Sequence, residues 1–239
     1  MEPTTVQQLP VSHKAWAWFE ANKKPVLWGA AALLLVAMIV SFMLYRRDQR
    51  EAAASEALSS VAVPQLGGAG GAAGTPDAFL KVAAEYPTSQ AGARALLLAA
   101  GAFFAEAKYA DARTQFERFR REHADSPFVG EAMLGVAACL DAQGKPREAM
   151  TAYKELIDRR PGDYMLPQAR FALARLHEAQ NEPELARNLY EEVERMDQMG
   201  SMGDEARMRL EELKEKFPRL ATPATPTSTN PPPYKIEQR

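Results

Sequence analysis

An aromatic residue recurs every 37 positions through the central part of this chain. The series is Phe79, Phe116, Tyr153 and Tyr190, and each member has an apolar residue three positions later and a small residue four positions earlier. Fixed periods of about 20–50 residues are typical of repeat proteins, whose units bury their apolar faces only by stacking on their neighbours. The period therefore predicts a solenoid of similar units over most of the chain.

The spacing inside one unit predicts two helices. In the second unit, residues 133–140 and 149–156 both carry apolar side chains at helical intervals, so each run has one apolar face. Gly144 and Pro146 separate the two runs and Pro161 follows the second; residues of these types interrupt helices. The unit is therefore predicted to be a helical hairpin, in which Ala137 and Ala149 face each other because only small side chains let two helices cross closely.

The pattern of large, small and aromatic residues resembles the tetratricopeptide repeat over about residues 75–218. The matching residues of the first two units are Leu96, Ala99, Ala100, Phe103, Ala112, Phe116, Phe119, Met133, Val136, Ala137, Leu140, Ala149, Tyr153, Leu156 and Pro161. The third unit departs from the pattern, because Arg170 and His177 occupy positions that are usually apolar. Since the usual period is 34 residues, we expect about three extra residues in the turns between repeats, near Ser126 and Asp163.

A run of twenty uncharged, mostly apolar residues at positions 26–45 is the second strong feature. A helix of that length spans roughly 30 Å, the thickness of the hydrocarbon core of a bilayer. Residues typical of membrane edges flank or end the run: Lys23, Lys24, Trp28, Tyr45, Arg46, Arg47 and Arg50. We therefore predict an all-α protein, with a single N-terminal transmembrane helix followed by a tetratricopeptide-like α-solenoid of helix pairs. A cleaved signal peptide is the alternative, with a weak cleavage site at residues 52–54.

The chain divides into five predicted segments. They are an N-terminal segment (1–24), a transmembrane helix (25–46), a membrane-proximal helix with a Gly-rich linker (47–74), a repeat domain (75–217) and a disordered Pro/Thr-rich tail (218–239). Residues 12–22 form either an interfacial helix or the start of the anchor helix. Residues 50–63 are expected to pack against the helix that carries Phe79, and residues 204–217 to close the array as a polar capping helix. The tail contains a Pro-Pro-Pro-Tyr motif at 231–234, a short polyproline-type sequence.

Composition and motifs argue against catalysis and against nucleic acid as a partner. The net charge of −2, with 25% charged residues, lacks the basic excess that nucleic acid requires. The histidines, His13, His123 and His177, are far apart in sequence, and the chain has no metal-ligand spacing, phosphate-binding loop or nucleophile turn. Cys139 lies in an apolar helical stretch and is expected to be a buried packing residue. We therefore predict no enzymatic activity, no metal and no cofactor.

The first helices of such a solenoid line a concave face that suits an extended or helical peptide. The predicted protein-binding groove consists of Arg94, Leu97, Phe104, Glu131, Leu134, Asp141, Gln168, Phe171, Arg175 and Met208. Four of these residues, Leu97, Leu134, Phe171 and Met208, recur every 37 positions and would form an apolar stripe bordered by charges. The alternative is that these apolar residues only pack between neighbouring helices.

The order of segments also resembles the YfgM-like family, the ancillary subunits of the bacterial Sec translocon. The resemblance rests on the WFEANKK stretch at 18–24, the single apolar span, the alanine-rich QREAAASEAL helix and the repeats. It implies a single-pass inner-membrane protein with a cytoplasmic N-terminus and a periplasmic repeat domain. The implied partners are translocon subunits, periplasmic chaperones or client peptides, besides the lipid bilayer itself. Charge alone does not choose the orientation, because three basic residues lie on each side of the span.

Two other functions fit the same sequence. The repeats also resemble those of envelope-assembly proteins, which coordinate outer-membrane or cell-wall synthesis and have no part in secretion. A third interpretation keeps the repeats in the cytoplasm as a docking platform, and it requires only the opposite orientation of the predicted anchor. The neighbours of the membrane helix would separate the first two functions, since translocon subunits favour one and assembly machinery the other.

Overall fold

The computed structural model describes residues 22–62 and 74–220, apart from the side chains of Pro25, Val26, Leu27 and Ala30. These two ranges contain nine α-helices and no strand. The helices are α1 (Lys23–Ala62), α2 (Pro76–Glu85), α3 (Gln90–Ala105), α4 (Tyr109–Glu122), α5 (Val129–Ala142), α6 (Pro146–Arg159), α7 (Leu166–Ala179), α8 (Pro183–Met196) and α9 (Ser201–Lys216). The predicted interfacial helix, most of the Gly-rich linker and the Pro-Pro-Pro-Tyr motif lie outside the described ranges.

The helices pair as the sequence predicts. Repeat 1 consists of α3 and α4, repeat 2 of α5 and α6, and repeat 3 of α7 and α8, while α9 packs on α8 as the closing helix. The alanines at the predicted crossing points are all 0% exposed: Ala100, Ala112, Ala137, Ala149, Ala174 and Ala186. Because protein interiors are close-packed, these small side chains set the distance between the two helices of each repeat. The predicted all-α solenoid is confirmed.

The turns between repeats are longer than those within them. Residues 123–128 and 160–165 connect successive repeats, whereas residues 106–108 and 143–145 connect the two helices of one repeat. The longer turns lie near Ser126 and Asp163, where the extra residues were expected. The Asp163 carboxylate accepts a hydrogen bond from the Met165 amide at 3.0 Å and pairs with Arg160 at 2.8 Å, so the side chain holds its turn together.

Each repeat reverses direction on a residue with a left-handed backbone. These residues are Ala107 (φ 57°), Gly144 (φ 69°) and Asn181 (φ 60°), again 37 positions apart. In repeat 2 the Lys145 amide donates to the Leu140 carbonyl, and the Gly144 amide donates to the Asp141 carbonyl. The other two repeats make the same pair of bonds. This is the Schellman motif, which satisfies carbonyl groups that have no partner inside the helix.

Substitutions at two of these turns should change stability in opposite directions. A side chain at residue 144 would meet no atom within 4 Å, so Gly144→Ala adds only backbone strain. We expect it to lower the free energy of unfolding by about 1 kcal/mol. Ala107→Gly removes that strain but also loosens the unfolded chain, and we expect a gain of about 0.5 kcal/mol. Urea denaturation of the two variants checks this, and shifts in the same direction would contradict the shared turn geometry.

The C-terminal part of α1 belongs to the packed domain. Ala54 and Leu58 are buried in the same core as α2 and α3. The Glu51 carboxylate accepts hydrogen bonds from the backbone amides of Gln90 and Ala91, both at 2.8 Å. A carboxylate at this place satisfies amides that have no partner within α3 and interacts favourably with the helix dipole. The expected packing is therefore seen for residues 50–62, while residue 63 lies outside the described ranges. The core begins before the predicted domain boundary at residue 75.

The N-terminal part of α1 is exposed. It continues without a break into the part that packs on the repeats, so α1 is a single helix of 40 residues. Large apolar side chains along it, among them Leu33, Leu34 and Phe42, are exposed. Among the residues whose side chains are described, no helix combines the length and the apolar character that crossing a membrane requires.

Buried side chains form two clusters that meet in repeat 3. The larger runs from α1 to α7, and the smaller is shared by α7, α8, α9 and Leu220. Arg170, the charged exception of repeat 3, pairs with Glu192 of α8 at 2.6 Å, so its charge is neutralised where an apolar residue is usual. His177, the second exception of repeat 3, is buried, and its Nδ1 contacts the Glu182 carboxylate at 2.5 Å.

The C-terminal end of the packed domain extends beyond the predicted boundary. The tail was expected to be disordered from residue 218, but Pro218–Leu220 form a 3-10 turn and Leu220 is buried against the smaller cluster. The expectation was wrong for these three residues, because Leu220 supplies an apolar side chain that covers the open end of the core. The predicted capping helix is seen as α9, which buries Ala206, Leu210 and Leu213. Residues 221–239 lie outside the described ranges.

Candidate functional site: the inner face of the repeats

The packing of the helices identifies an inner face. The first helices of repeats 1 and 2, α3 and α5, contact each other, and so do α7 and α9. The backbones of the second helices of neighbouring repeats do not come comparably close in the described ranges. Two of the three neighbouring pairs of first helices therefore lie close together. Since helices on the inside of a curved array lie closer together, this indicates that the array bends with its first helices inside. The inner face is therefore formed by α3, α5, α7 and α9, the helices that carry the ten predicted groove residues.

The ten residues differ in how much surface they offer. Leu97 and Phe171 are buried, at 6% and 8% exposure. Phe104, Glu131, Leu134 and Asp141 are half-buried. Arg94, Gln168, Arg175 and Met208 are exposed, and Met208 reaches 61%. The predicted apolar stripe is therefore uneven, because only Leu134 and Met208 present apolar surface to a partner.

Leu97 and Phe171 take the packing role that the sequence left as the alternative. Leu97 belongs to the larger core cluster. The Phe171 ring lies edge-on to Tyr190, with the ring centroids 5.4 Å apart, in the smaller cluster. Edge-to-face aromatic contacts of this kind stabilise a core beyond the area they bury. These two residues pack in the core beneath the inner face and are not available to a partner. Phe104 has a similar contact with Tyr109, at 5.2 Å, and keeps part of its ring accessible.

Charged groups on the inner face are available to a partner. Arg94, Asp141 and Arg175 form no ion pair with another residue of the described ranges. Glu131 accepts a hydrogen bond from the Tyr164 hydroxyl at 3.4 Å, and Glu178 contacts Lys216 at 3.9 Å. These contacts are long and partly solvated, so they constrain the carboxylates weakly. The inner face therefore carries charges of both signs beside the accessible side chains of Leu134 and Met208.

In contrast to the inner-face groups, several charged residues of the second helices form ion pairs with one another. Arg120 donates to Glu155 at 2.9 Å, which links α4 of repeat 1 to α6 of repeat 2. Arg113 pairs with Glu117 at 2.7 Å one turn along α4. Pairs at this spacing support a helix and leave less charge for a partner. The contrast with Arg94 and Arg175 favours the inner face over the outer face as a binding surface.

Two tyrosines of the second helices reach toward the charges of the inner face. Burial is the main cause that raises the pKa of Tyr153, and the nearby Asp141 carboxylate raises it further while Arg175 opposes the rise. The pKa of Tyr190 is raised in the same way, by burial first and then by Glu178, whose carboxylate accepts from the Tyr190 hydroxyl at 3.4 Å. From the sequence alone, both residues are predicted only to pack in the core. The available signal was the change from Phe116 in repeat 1 to tyrosine in repeats 2 and 3.

The described residues place neither a candidate metal site nor a reactive cysteine at this face. The described residues contain no group of three or more His, Cys, Asp or Glu side chains that could hold a metal ion. Cys139 is fully buried, and burial raises the pKa of its thiol to about 11. A buried thiol with a raised pKa is a poor nucleophile, because the thiolate is the reactive form. Cys139 thus has the packing role expected from the sequence.

Several solved structures of low sequence identity are similar to this chain. PcrH from Pseudomonas aeruginosa is 17% identical, with 53% of this chain and 94% of PcrH covered and a TM-score of 0.47. The Yersinia enterocolitica type III secretion chaperone SycD, in complex with a peptide of the translocator YopD, is 18% identical, with 53% and 92% covered and a TM-score of 0.45. A type III secretion complex from Aeromonas hydrophila is 20% identical, with 59% and 95% covered and a TM-score of 0.47.

The family assignment rests on the sequence itself. No curated protein matches the chain. Residues 16–160, more than half of the chain, match the model of the family described as tetratricopeptide repeat-like domain. The match includes the apolar run, α2, repeat 1 and repeat 2, and the structure adds repeat 3 with the same helix pairing and the same turn. This chain is a member of the tetratricopeptide repeat-like domain family.

Proposed function

We propose that this protein is a non-enzymatic scaffold that is anchored in a membrane and binds a segment of another protein on the inner face of its repeats. The observation that carries the proposal is the composition of that face. It combines charged groups that form no ion pair within the described residues, at Arg94, Asp141 and Arg175, with accessible apolar surface at Leu134 and Met208. Stacked helix pairs present such a surface over several repeats, which suits an extended or helical segment.

The chemistry of the inner face specifies the kind of segment. Leu134 and Met208 would contact apolar side chains, while Asp141 and Glu178 would favour basic groups and Arg94 and Arg175 acidic groups. Apolar contacts supply most of the affinity, and the charges select the register and the partner. The preferred ligand is therefore an amphipathic segment with one apolar side and charges of both signs.

The apolar run at 26–45 supports the membrane anchor. It has no charge over twenty residues, and its flanks carry the basic and aromatic residues that membrane interfaces favour. The described large apolar side chains of that run are exposed on α1. The family match begins at residue 16, so the run and the repeats occur together in the family model.

We propose the inner membrane of a bacterium as the location, with the N-terminus in the cytoplasm and the repeats in the periplasm. The resemblance to ancillary subunits of the Sec translocon supports this orientation, and it makes translocon subunits and periplasmic chaperones the first partners to test. An alkaline phosphatase fused after Leu220 is expected to be active, because that enzyme functions only outside the cytoplasm. An inactive fusion that is stably expressed would contradict the orientation.

Replacing Leu134 and Met208 together with glutamate should abolish capture of the partner. Burying one such side chain contributes roughly 1.5–3 kcal/mol, so removing two and adding charge should weaken binding by about 100-fold or more. Phe171 is left unchanged because it is a core residue. The measurement is a pull-down from detergent-solubilised membranes with identification by mass spectrometry.

A matched variant controls for the added charge. Leu185→Glu with Met199→Glu changes two exposed apolar residues outside the inner face. This control should retain the partners, and circular dichroism should show that both double variants keep the native helicity. If the Leu134 and Met208 variant is folded and still captures every partner, the inner face is not the binding site. Cell-wall or outer-membrane assembly enzymes as the captured partners would favour the envelope-assembly function over the link to secretion.

A further inference from the structure

A cavity of about 690 Å³ lies where α1 meets the turn before α3. Its lining comes from apolar residues of α1, from charged residues further along the same helix, and from the loop before α3. The lining residues are Met38, Ile39, Phe42, Met43, Arg46, Arg47, Arg50, Glu51, Thr88 and Ser89. The cavity is distinct from the inner face of the repeats, since it contains none of the ten groove residues.

One face of α1 gives this cavity an apolar end and a cationic end. Ile39, Met43, Arg46 and Arg50 follow one another at three- or four-residue intervals, so they share a face of the helix. Phe42 lies three residues after Ile39 and four before Arg46, on the same side. The apolar members come first, and the arginines lie nearer the repeats. The Arg46 guanidinium lies 5.3 Å from the centre of the Phe42 ring, where the two parts of the cavity meet. The lining is therefore amphiphilic along the helix axis.

The described residues do not neutralise the positive charge of the cationic end. Arg46, Arg47 and Arg50 form no ion pair with another described residue. Glu51 is the acidic group in the lining, and both of its carboxylate oxygens accept bonds from the amides at the start of α3. Asp48 lies on a different surface of α1, beside Leu44 and Tyr45. An anion in the cavity would therefore meet three guanidinium groups that form no ion pair with any described residue.

We propose that this cavity binds an acidic phospholipid, with its phosphate on the arginines and an acyl chain along Met38, Ile39, Phe42 and Met43. Guanidinium groups match phosphate oxygens in geometry and charge, and the apolar end requires a ligand with a hydrocarbon part. A free phosphate would satisfy only the cationic end. The proposal rests on the membrane anchor proposed above, because that anchor places the arginines at the level of the lipid headgroups.

The test uses the full-length protein in nanodiscs of phosphatidylcholine that contain a minor fraction of phosphatidylglycerol. Native mass spectrometry measures which lipid stays bound after release from the disc. We expect phosphatidylglycerol to be enriched over its share of the disc, and excess inorganic phosphate to leave the enrichment unchanged. Arg46→Gln with Arg50→Gln should remove most of the enrichment, at roughly fivefold for each arginine. If the double variant is not helical, Arg46→Gln or Arg50→Gln alone should still reduce the enrichment measurably.

Lys23 and Lys24, at the start of α1, provide a matched pair of basic residues away from the cavity. Lys23→Gln with Lys24→Gln removes the same charge away from the cavity and should retain the enrichment. Equal loss in both double variants would overturn the proposal in favour of general charge attraction, and displacement by inorganic phosphate would overturn it in favour of a simple anion site. If the protein inserted into the discs but did not enrich the acidic lipid, the lipid site would be contradicted and the membrane anchor would be retained. If alkaline carbonate released the protein from membranes, that result would contradict both the membrane anchor and this lipid site.

Discussion

Replacing Tyr190 with alanine is expected to lower the free energy of unfolding of repeat 3 by about 3–5 kcal/mol. Tyr190 is 0% exposed, and its ring packs edge-on against Phe171 in the smaller core cluster. Removing the ring leaves a cavity at the centre of a cluster to which α7, α8 and α9 all contribute. Close-packed neighbours relax only partly into such a space, so most of the lost contact energy is not recovered.

The loss should be local, because repeat arrays are stabilised mainly by contacts between neighbours. Hydrogen exchange followed by mass spectrometry should show faster exchange in α8 and α9, while α4 and α5 keep their protection. Tyr190→Phe is the matched control, since it keeps the ring and removes only the hydroxyl that donates to Glu178. That variant should lose about 1 kcal/mol or less. Equal effects of the two variants would mean that the hydroxyl, and not the ring, stabilises the repeat.

Replacing Ala149 with leucine is expected to lower the free energy of unfolding by about 1–3 kcal/mol. Ala149 and Ala137 are both 0% exposed at the predicted crossing of α5 and α6. Three additional carbon atoms at this point must push the helices apart or force side chains out of their preferred rotamers. Because repeat 2 lies between two other repeats, the strain should reach its contacts with both. Urea denaturation of the full-length chain, followed by far-UV circular dichroism, measures the change.

An exposed alanine provides the control for this substitution. Ala142 is at the end of α5 and is exposed, so Ala142→Leu adds the same atoms where space is available. That variant should differ from the original chain by no more than about 0.5 kcal/mol. If Ala149→Leu were equally harmless, the helices would not cross at this alanine, and the assignment of positions within the repeat would need to be shifted.

The helix pairs and their turns could be predicted because their signals are local. Alanine and aromatic positions repeat at a fixed spacing, and residues close in sequence along a helix occupy a known face. Contacts between distant segments carried no such signal. The bonds from the amides of Gln90 and Ala91 to Glu51 join residues about forty positions apart, and they depend on how α1 is placed against α3. The burial of Leu220 likewise depends on the open end of the core.

The sequence alone could not predict which residues of the groove are exposed. Leu97, Leu134, Phe171 and Met208 occupy equivalent positions 37 residues apart, so the sequence alone could not distinguish groove from core among them. The structure separates them, because exposure depends on which side chains pack on each position from neighbouring helices. Phe171 is covered by Tyr190 and is core, whereas Met208 lies on the last α-helix of the described chain, beyond which no further repeat packs, and is exposed. The period thus determined the architecture from the sequence, and only tertiary packing decided which members of the stripe can meet a partner.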